Sequence, residues 1–192
     1  MELALEARVM SNVERGKEFE RIVAQLYERM GFEVETNKLL RGRSGALHEI
    51  DVYAVKKCGG GRGSGGSFGI LRGLRKREQE QRICVECKYK NDGDVSKAEV
   101  ANFLLKMDDL KIKENYVVTN SCLSEQAMIV AKNYGVGAID GSELTKLCQE
   151  YGVKNNLRVG KTTPLSYMIS SVVDLLDAAG IFRLAGVGEK TG

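Results

Sequence analysis

Ile83-Cys84-Val85-Glu86-Cys87-Lys88-Tyr89-Lys90 is a β-strand pattern with charges set into it, and His48-Glu49-Ile50-Asp51-Val52-Tyr53, earlier in the chain, is another. Branched and aromatic side chains suit the pleated, half-buried surface of a sheet, and a charge inside such a run is costly unless it is paired or bound to a metal. Successive side chains of a strand point to opposite faces. Cys84, Glu86 and Lys88 are therefore expected on one face, with Val85, Cys87 and Tyr89 on the other, toward the core. In the earlier strand Glu49, Asp51 and Tyr53 are expected opposite Ile50, Val52 and Ala54. Two carboxylates from neighbouring strands, Asp51 and Glu86, can hold a hard divalent ion. An adjacent lysine, Lys88, can orient or deprotonate an attacking water and stabilise charge developing on a phosphate. The charge pattern alone fits equally well a cross-strand Asp51–Lys88 ion pair with Glu86 solvated. The same parity sets Cys84 and Cys87 on opposite faces, so their spacing is not that of a chelating pair.

Upstream, Phe19, Ile22, Val23, Leu26, Tyr27 and Met30 form one stripe of an amphipathic helix running from about Glu14 to Met30, with Gly31 as its stop. Glu20 falls on the edge of that stripe, where it can face a cleft or solvent. Phe32 to Thr36 reads as a first strand and Leu47 to Val55 as a second, joined by the polar, basic Lys38 to Ala46. His48, the only histidine, reads as a packed or capping residue. Downstream, Ser96 and Glu99 make a capping box that opens a helix with stripe Val100, Phe103, Leu104 and Met107. Tyr116 to Thr119 is a strand, Ser124 begins a helix, Val136 to Ile139 is a strand, and Ser142 caps a last helix ended by Gly152. The order αβββαβαβα predicts an α/β domain with a mixed central sheet flanked by helices, spanning 14–152.

Two segments stand apart. Residues 56–82 carry eight basic residues against two acidic ones, with eight glycines, in a chain whose net charge is +3. Such an insert can track a phosphate backbone through Arg62, Arg72, Arg75, Lys76 and Arg77, or serve only as a solubilising hairpin. Residues 153–192 read as a linker and a C-terminal helix. The stripe of that helix, within 164–179, needs a partner surface, either the domain or a second copy in a homodimer. Residues 1–13 read as an arm or short helix. The chain has 192 residues, is 43% hydrophobic and 29% charged, and contains one proline, an ordinary soluble composition. No apolar run approaches membrane-span length and the start lacks a signal peptide's basic region, so the cytoplasm is the expected location. Five scattered cysteines do not suggest a disulfide framework.

Gly16-Lys17-Glu18-Phe19-Glu20, Gly31-Phe32-Glu33-Val34, Glu49-Ile50-Asp51-Val52, Val85-Glu86-Cys87-Lys88, Val117-Val118-Thr119 and Ala127, in that order, resemble the Mrr-type restriction endonuclease domain of the PD-(D/E)xK nuclease superfamily, which includes archaeal Holliday-junction resolvases. The resemblance implies a restriction-endonuclease-like αβββαβ core. It makes Asp51, Glu86 and Glu20 the metal-binding acids and Lys88 the catalytic lysine, with Mg²⁺, or Mn²⁺, as cofactor and DNA as partner. Ile50 stands where the superfamily's motif has proline, and the insert separates Asp51 from Glu86 more widely than usual. Glu49 is a candidate auxiliary acid, and Lys90 a candidate phosphate contact. The expected function is metal-dependent DNA cleavage in restriction, repair or recombination. The competing reading is a DNA-binding module or subunit that keeps the fold without cutting.

Overall fold

The computed structural model describes residues 10–58 and 79–157. Arg62, Arg72, Arg75, Lys76 and Arg77, the 164–179 helix and the start of the N-terminal arm lie outside the described residues. The elements are α1 (Asn12–Arg29), β1 (Glu33–Arg41), β2 (Leu47–Cys58), β3 (Gln79–Lys88), α2 (Lys97–Leu110), β4 (Glu114–Thr119), α3 (Glu125–Tyr134), β5 (Gly137–Ile139) and α4 (Gly141–Glu150). The strands form one sheet in the order β1-β2-β3-β4-β5. β1, β2 and β3 pair antiparallel, whereas β3 with β4 and β4 with β5 pair parallel. The fold is the mixed α/β arrangement expected, and β3 is the strand at which the two modes of pairing meet.

Local chemistry sets most boundaries. Ser11 and Glu14 make a reciprocal capping box at the start of α1, and Ser96 and Glu99 do the same for α2. Ser124 caps α3 through the Ala127 N–H. The cap of α4 is Asp140 and not Ser142: the Asp140 carboxylate accepts the Ser142 and Glu143 N–H groups, each at 2.9 Å, and Ser142 lies inside the first turn. α1 is capped at Met30, and the chain turns away at Gly31, whose φ of 87° is a left-handed conformation that suits glycine.

Both faces of the sheet are covered. On one, Phe19, Ile22, Val23, Leu26 and Tyr27 of α1 and Leu144 and Leu147 of α4 bury against Val52, Ala54, Ile83, Val85 and Val118. On the other, Val100, Phe103 and Met107 of α2 and Ala127 and Ala131 of α3 bury against Ile50, Tyr53, Cys84 and Val117. Each large side chain so buried contributes roughly 1.5–3 kcal/mol, which is what fixes α1 and α2 over β2 and β3. Both faces of β3 therefore meet core: Cys84, on the face expected to be open, is fully buried under α2.

Three features depart from the sequence reading. β1 continues to Arg41 and turns through Gly42–Ala46, with the Gly42 N–H on the Ala46 carbonyl at 2.8 Å. The polar Lys38 to Ala46 segment hid this strand because Lys38 lays its ammonium over the Tyr53 ring, 4.2 Å from its centre, instead of marking a loop. β2 and β3 also run on from Val52↔Val85 to Cys58↔Gln79, so both ends of the 56–82 segment are strand. Finally, strict alternation fails at Asp51. Ile50 packs in the same layer as Tyr53, while Val52 is in the other. Asn37, between the pairs Thr36↔Val52 and Lys38↔Ile50 on the neighbouring strand, has φ of 51°, a backbone irregularity beside Asp51.

Candidate active site

The β2–β3 pairing begins at Val52↔Val85 and does not include Asp51. The Asp51 carboxylate accepts the Cys87 N–H through Oδ2 at 2.7 Å, so a side chain takes the amide that a ladder partner would otherwise engage. This bond draws Asp51 to the end of β3 that carries Glu86 and Lys88. Glu86 is 6% exposed, and each of its oxygens is held by an ammonium: Lys88 Nζ lies 2.7 Å from Oε1 and Lys106 Nζ 3.0 Å from Oε2. A buried carboxylate requires such partners, because unpaired it would carry a desolvation cost of several kcal/mol. Lys106 Nζ also lies 3.5 Å from the Glu49 carbonyl.

The titration behaviour shows which groups sense each other. Burial raises the Asp51 carboxyl to about 6; Glu86 and Glu20 add to the rise, and the Cys87 N–H and Lys88 oppose it. Glu20 is raised first by burial and also by Glu49 and Glu86, against a hydrogen bond from the Asn37 side chain and the charge of Lys17. Burial alone would lower Lys88, but the hydrogen bond and charge of Glu86, helped by Asp51, turn the net shift upward, so the amine stays protonated at neutral pH. Asp51 thus senses Glu86, Glu20 and Lys88, and Glu20 senses Glu86. Burial pushes the Cys84 thiol to about 12 and raises Cys87 as well, which removes both as thiolate ligands or nucleophiles near neutral pH.

The donor set suits a hard divalent ion in kind, since Asp51 and Glu20 are both raised by burial and by the charge of Glu86, a load that an added cation relieves. Among the described residues no three His, Cys, Asp or Glu side chains form a ready-made metal cluster, and the Glu86 oxygens already carry two lysines.

The other candidates are placed differently. Lys90 gives its ammonium to both oxygens of Glu99, at 2.8 and 2.9 Å, so a phosphate would have to compete with that carboxylate. Glu99 falls to about 2, since Lys90 and Ser96 outweigh its desolvation. His48 Nε2 lies 2.7 Å from Asp109 Oδ2, which also accepts the Ser44 hydroxyl at 2.7 Å, while Asp109 Oδ1 accepts the Ser44 N–H at 2.8 Å. This clamp ties the β1–β2 turn to the end of α2 and is the structural role read for His48. Lys106 and Asn37 were not singled out in the sequence. Lys106, like Glu20, lies at the edge of a buried helix stripe, three residues after Phe103 and one before Met107, and that position is the signal in the sequence that marks it.

The restriction endonuclease family, in its Mrr catalytic form, matches residues 12–148. The chain belongs to that family. No curated protein matches it by sequence. Among solved structures, a protein of unknown function, AF1548, shares 22% identity with a TM-score of 0.54 over 88% of each chain, which is a likeness of fold. The restriction endonuclease MspJI, solved with a 27-mer oligonucleotide, gives 18% identity and a TM-score of 0.47 over 83% of this chain. The DNA modification-dependent restriction endonuclease AspBHI gives 13% and 0.42 over 90%. This chain accounts for 32% and 43% of those two proteins. As a member of the Mrr family, the chain carries a nuclease domain whose family match takes in β2, β3 and all four of the converging groups. No helix among the described residues is long and apolar enough to cross a membrane.

Proposed function

We propose that this chain is a divalent-metal-dependent endonuclease that hydrolyses DNA phosphodiester bonds, with Asp51, Glu86 and Glu20 as metal-binding acids and Lys88 as the catalytic lysine. The observation that carries the reading is the meeting of Asp51 and Glu86 at the end of β3, drawn together by the Asp51–Cys87 bond and flanked by Lys88. A bound Mg²⁺ or Mn²⁺ would supply charge stabilisation at the phosphate and a more acidic bound water. The residues' own parts are distinct. Asp51 is held by the backbone of the strand that bears Glu86, so the two acids move as one unit. Lys88 orients or activates the water and stabilises charge developing on the phosphate.

The test is cleavage of supercoiled, branched and single-stranded DNA with Mg²⁺ or Mn²⁺ by wild type, Asp51→Ala and Lys88→Ala. Wild type should cut; loss of Lys88 should slow cutting by roughly 10²–10³-fold, the scale for removing one preorganised stabilising donor. Undiminished cutting by Lys88→Ala would remove the assigned mechanism. The hold of two lysines on Glu86 favours a second reading, a fold that binds DNA without cutting it. Intact DNA under every metal condition, with salt-sensitive binding retained, would establish that alternative.

A further inference from the structure

We propose that Lys106 is a second lysine of this site, a positioning residue that neutralises Glu86 in the metal-free protein and yields Glu86 Oε2 to a divalent ion. Lys88 comes from the same strand as Glu86, two residues on, and binds Oε1 at 2.7 Å. Lys106 comes from a different element and binds the other oxygen at 3.0 Å. Its backbone is fixed because Val100, Phe103 and Met107 anchor α2 on the sheet. Its ammonium is not fixed in the same way: the Lys106 side chain is 30% exposed, against 9% for that of Glu86. A long lysine stem can stay packed while its head moves into water, so Lys106 can leave Oε2 without moving α2. Glu86 cannot follow it out. The buried acid therefore has two alternative counter-charges on one side, an internal ammonium and an external cation, and they compete for one oxygen.

The competition has a sign. Removing Lys106 takes away a rival of the ion and a partner of the apo carboxylate, so metal binding tightens while the metal-free fold weakens. A purely structural surface lysine would show neither the tightening nor a dependence on Glu86. The proposal rests on the metal-dependent reading above, and its test separates the two.

Mn²⁺ binding is measured calorimetrically without DNA on wild type, Lys106→Met, which keeps the apolar stem, and Lys106→Arg, which keeps the charge. Thermal unfolding is measured in chelator on the same proteins and again in a Glu86→Gln background. The Met variant should bind Mn²⁺ roughly tenfold more tightly, within the scale of one charge-assisted hydrogen bond. Its Tm in chelator should fall, the Arg variant should restore it, and the fall should vanish with Glu86→Gln. Equal Mn²⁺ affinity in wild type and Met variant overturns the exchange alone. Absence of Mn²⁺ binding in both overturns the exchange together with the proposed metal dependence. A Tm loss that persists in the Glu86→Gln background overturns the pairing itself.

Discussion

Asp51→Asn should make the metal-free protein more stable at neutral and alkaline pH while abolishing cleavage. The Asp51 carboxyl lies at about 6 in the fold against 3.8 ordinarily, from burial first and then from Glu86, with Glu20 adding. Because the folded value is the higher one, the unfolded chain gives up its proton first as pH rises. The cost to the fold grows from 3.8 upward and is complete above about 6. A shift of that size corresponds to ~3 kcal/mol. Asparagine removes the charge and keeps an oxygen for the Cys87 N–H, yet its own amide must be desolvated, so a net gain of ~1–2 kcal/mol is expected. At about 2–4 °C per kcal/mol for a chain of this size, Tm should rise by roughly 2–8 °C. The assay is thermal or urea unfolding in chelator from pH 4 to pH 8, with Asp51→Ala alongside. The gain should be full at pH 8 and absent near pH 4. Alanine should be less stable than asparagine by ~1–3 kcal/mol, because it orphans the Cys87 amide. If the asparagine variant is no more stable than wild type at pH 8, Asp51 is not under the electrostatic load described.

Other expectations follow from parts of the molecule away from Asp51. Glu143 is 8% exposed with neither carboxylate oxygen hydrogen-bonded among the described residues, and burial, with Asp140 adding, raises it to about 8. Its raised folded value makes the fold lose stability as pH climbs from 4.5 to about 8, so Glu143→Gln should flatten that decline and add ~1–3 kcal/mol at pH 8, read by urea unfolding. Asp109→Ala should release the β1–β2 turn, seen as faster amide hydrogen exchange at Ser44, whose N–H loses its carboxylate acceptor, with unchanged exchange at Ser44 refuting the clamp. Deleting residues 59–77 should weaken DNA binding and flatten its salt dependence while leaving the single-turnover rate on saturating DNA within about twofold, since the segment is assigned affinity and not chemistry.

Much of this was legible in the chain because strand parity and helix stripes are local. Cys84, Glu86 and Lys88 share a face of β3 as two-residue periodicity requires, and Ser96 with Glu99 opens α2. The strand pattern also offered Asp51, and the family resemblance added Glu20 and decided between a site and an ion pair. What escaped depends on contacts between distant elements. Lys106 matters only because α2 crosses the sheet above Glu86, and Lys90 is engaged only because the α2 capping box brings Glu99 to it. The break in alternation at Asp51 accompanies a backbone twist at Asn37 on the next strand, and no rule of period two along β2 contains that. Asp140 displaced Ser142 as the α4 cap because its carboxylate accepts the Ser142 and Glu143 amides, which starts the helix two residues earlier than a Ser142 cap would.

The long β2–β3 ladder acts as a ruler. Asp51 lies at one end of it, and at the other the chain leaves the described residues at Cys58 and returns at Gln79. At about 3.3 Å per residue, the seven steps from Asp51 to Cys58 set the root of the basic segment roughly 23 Å from the acids. That is about seven base-pair steps of a duplex. On the proposed function, a duplex lying along the hairpin would be gripped at one place and cut at another. The grip could then lengthen, shorten or change its charge between relatives without disturbing the spacing of Asp51, Glu86 and Lys88.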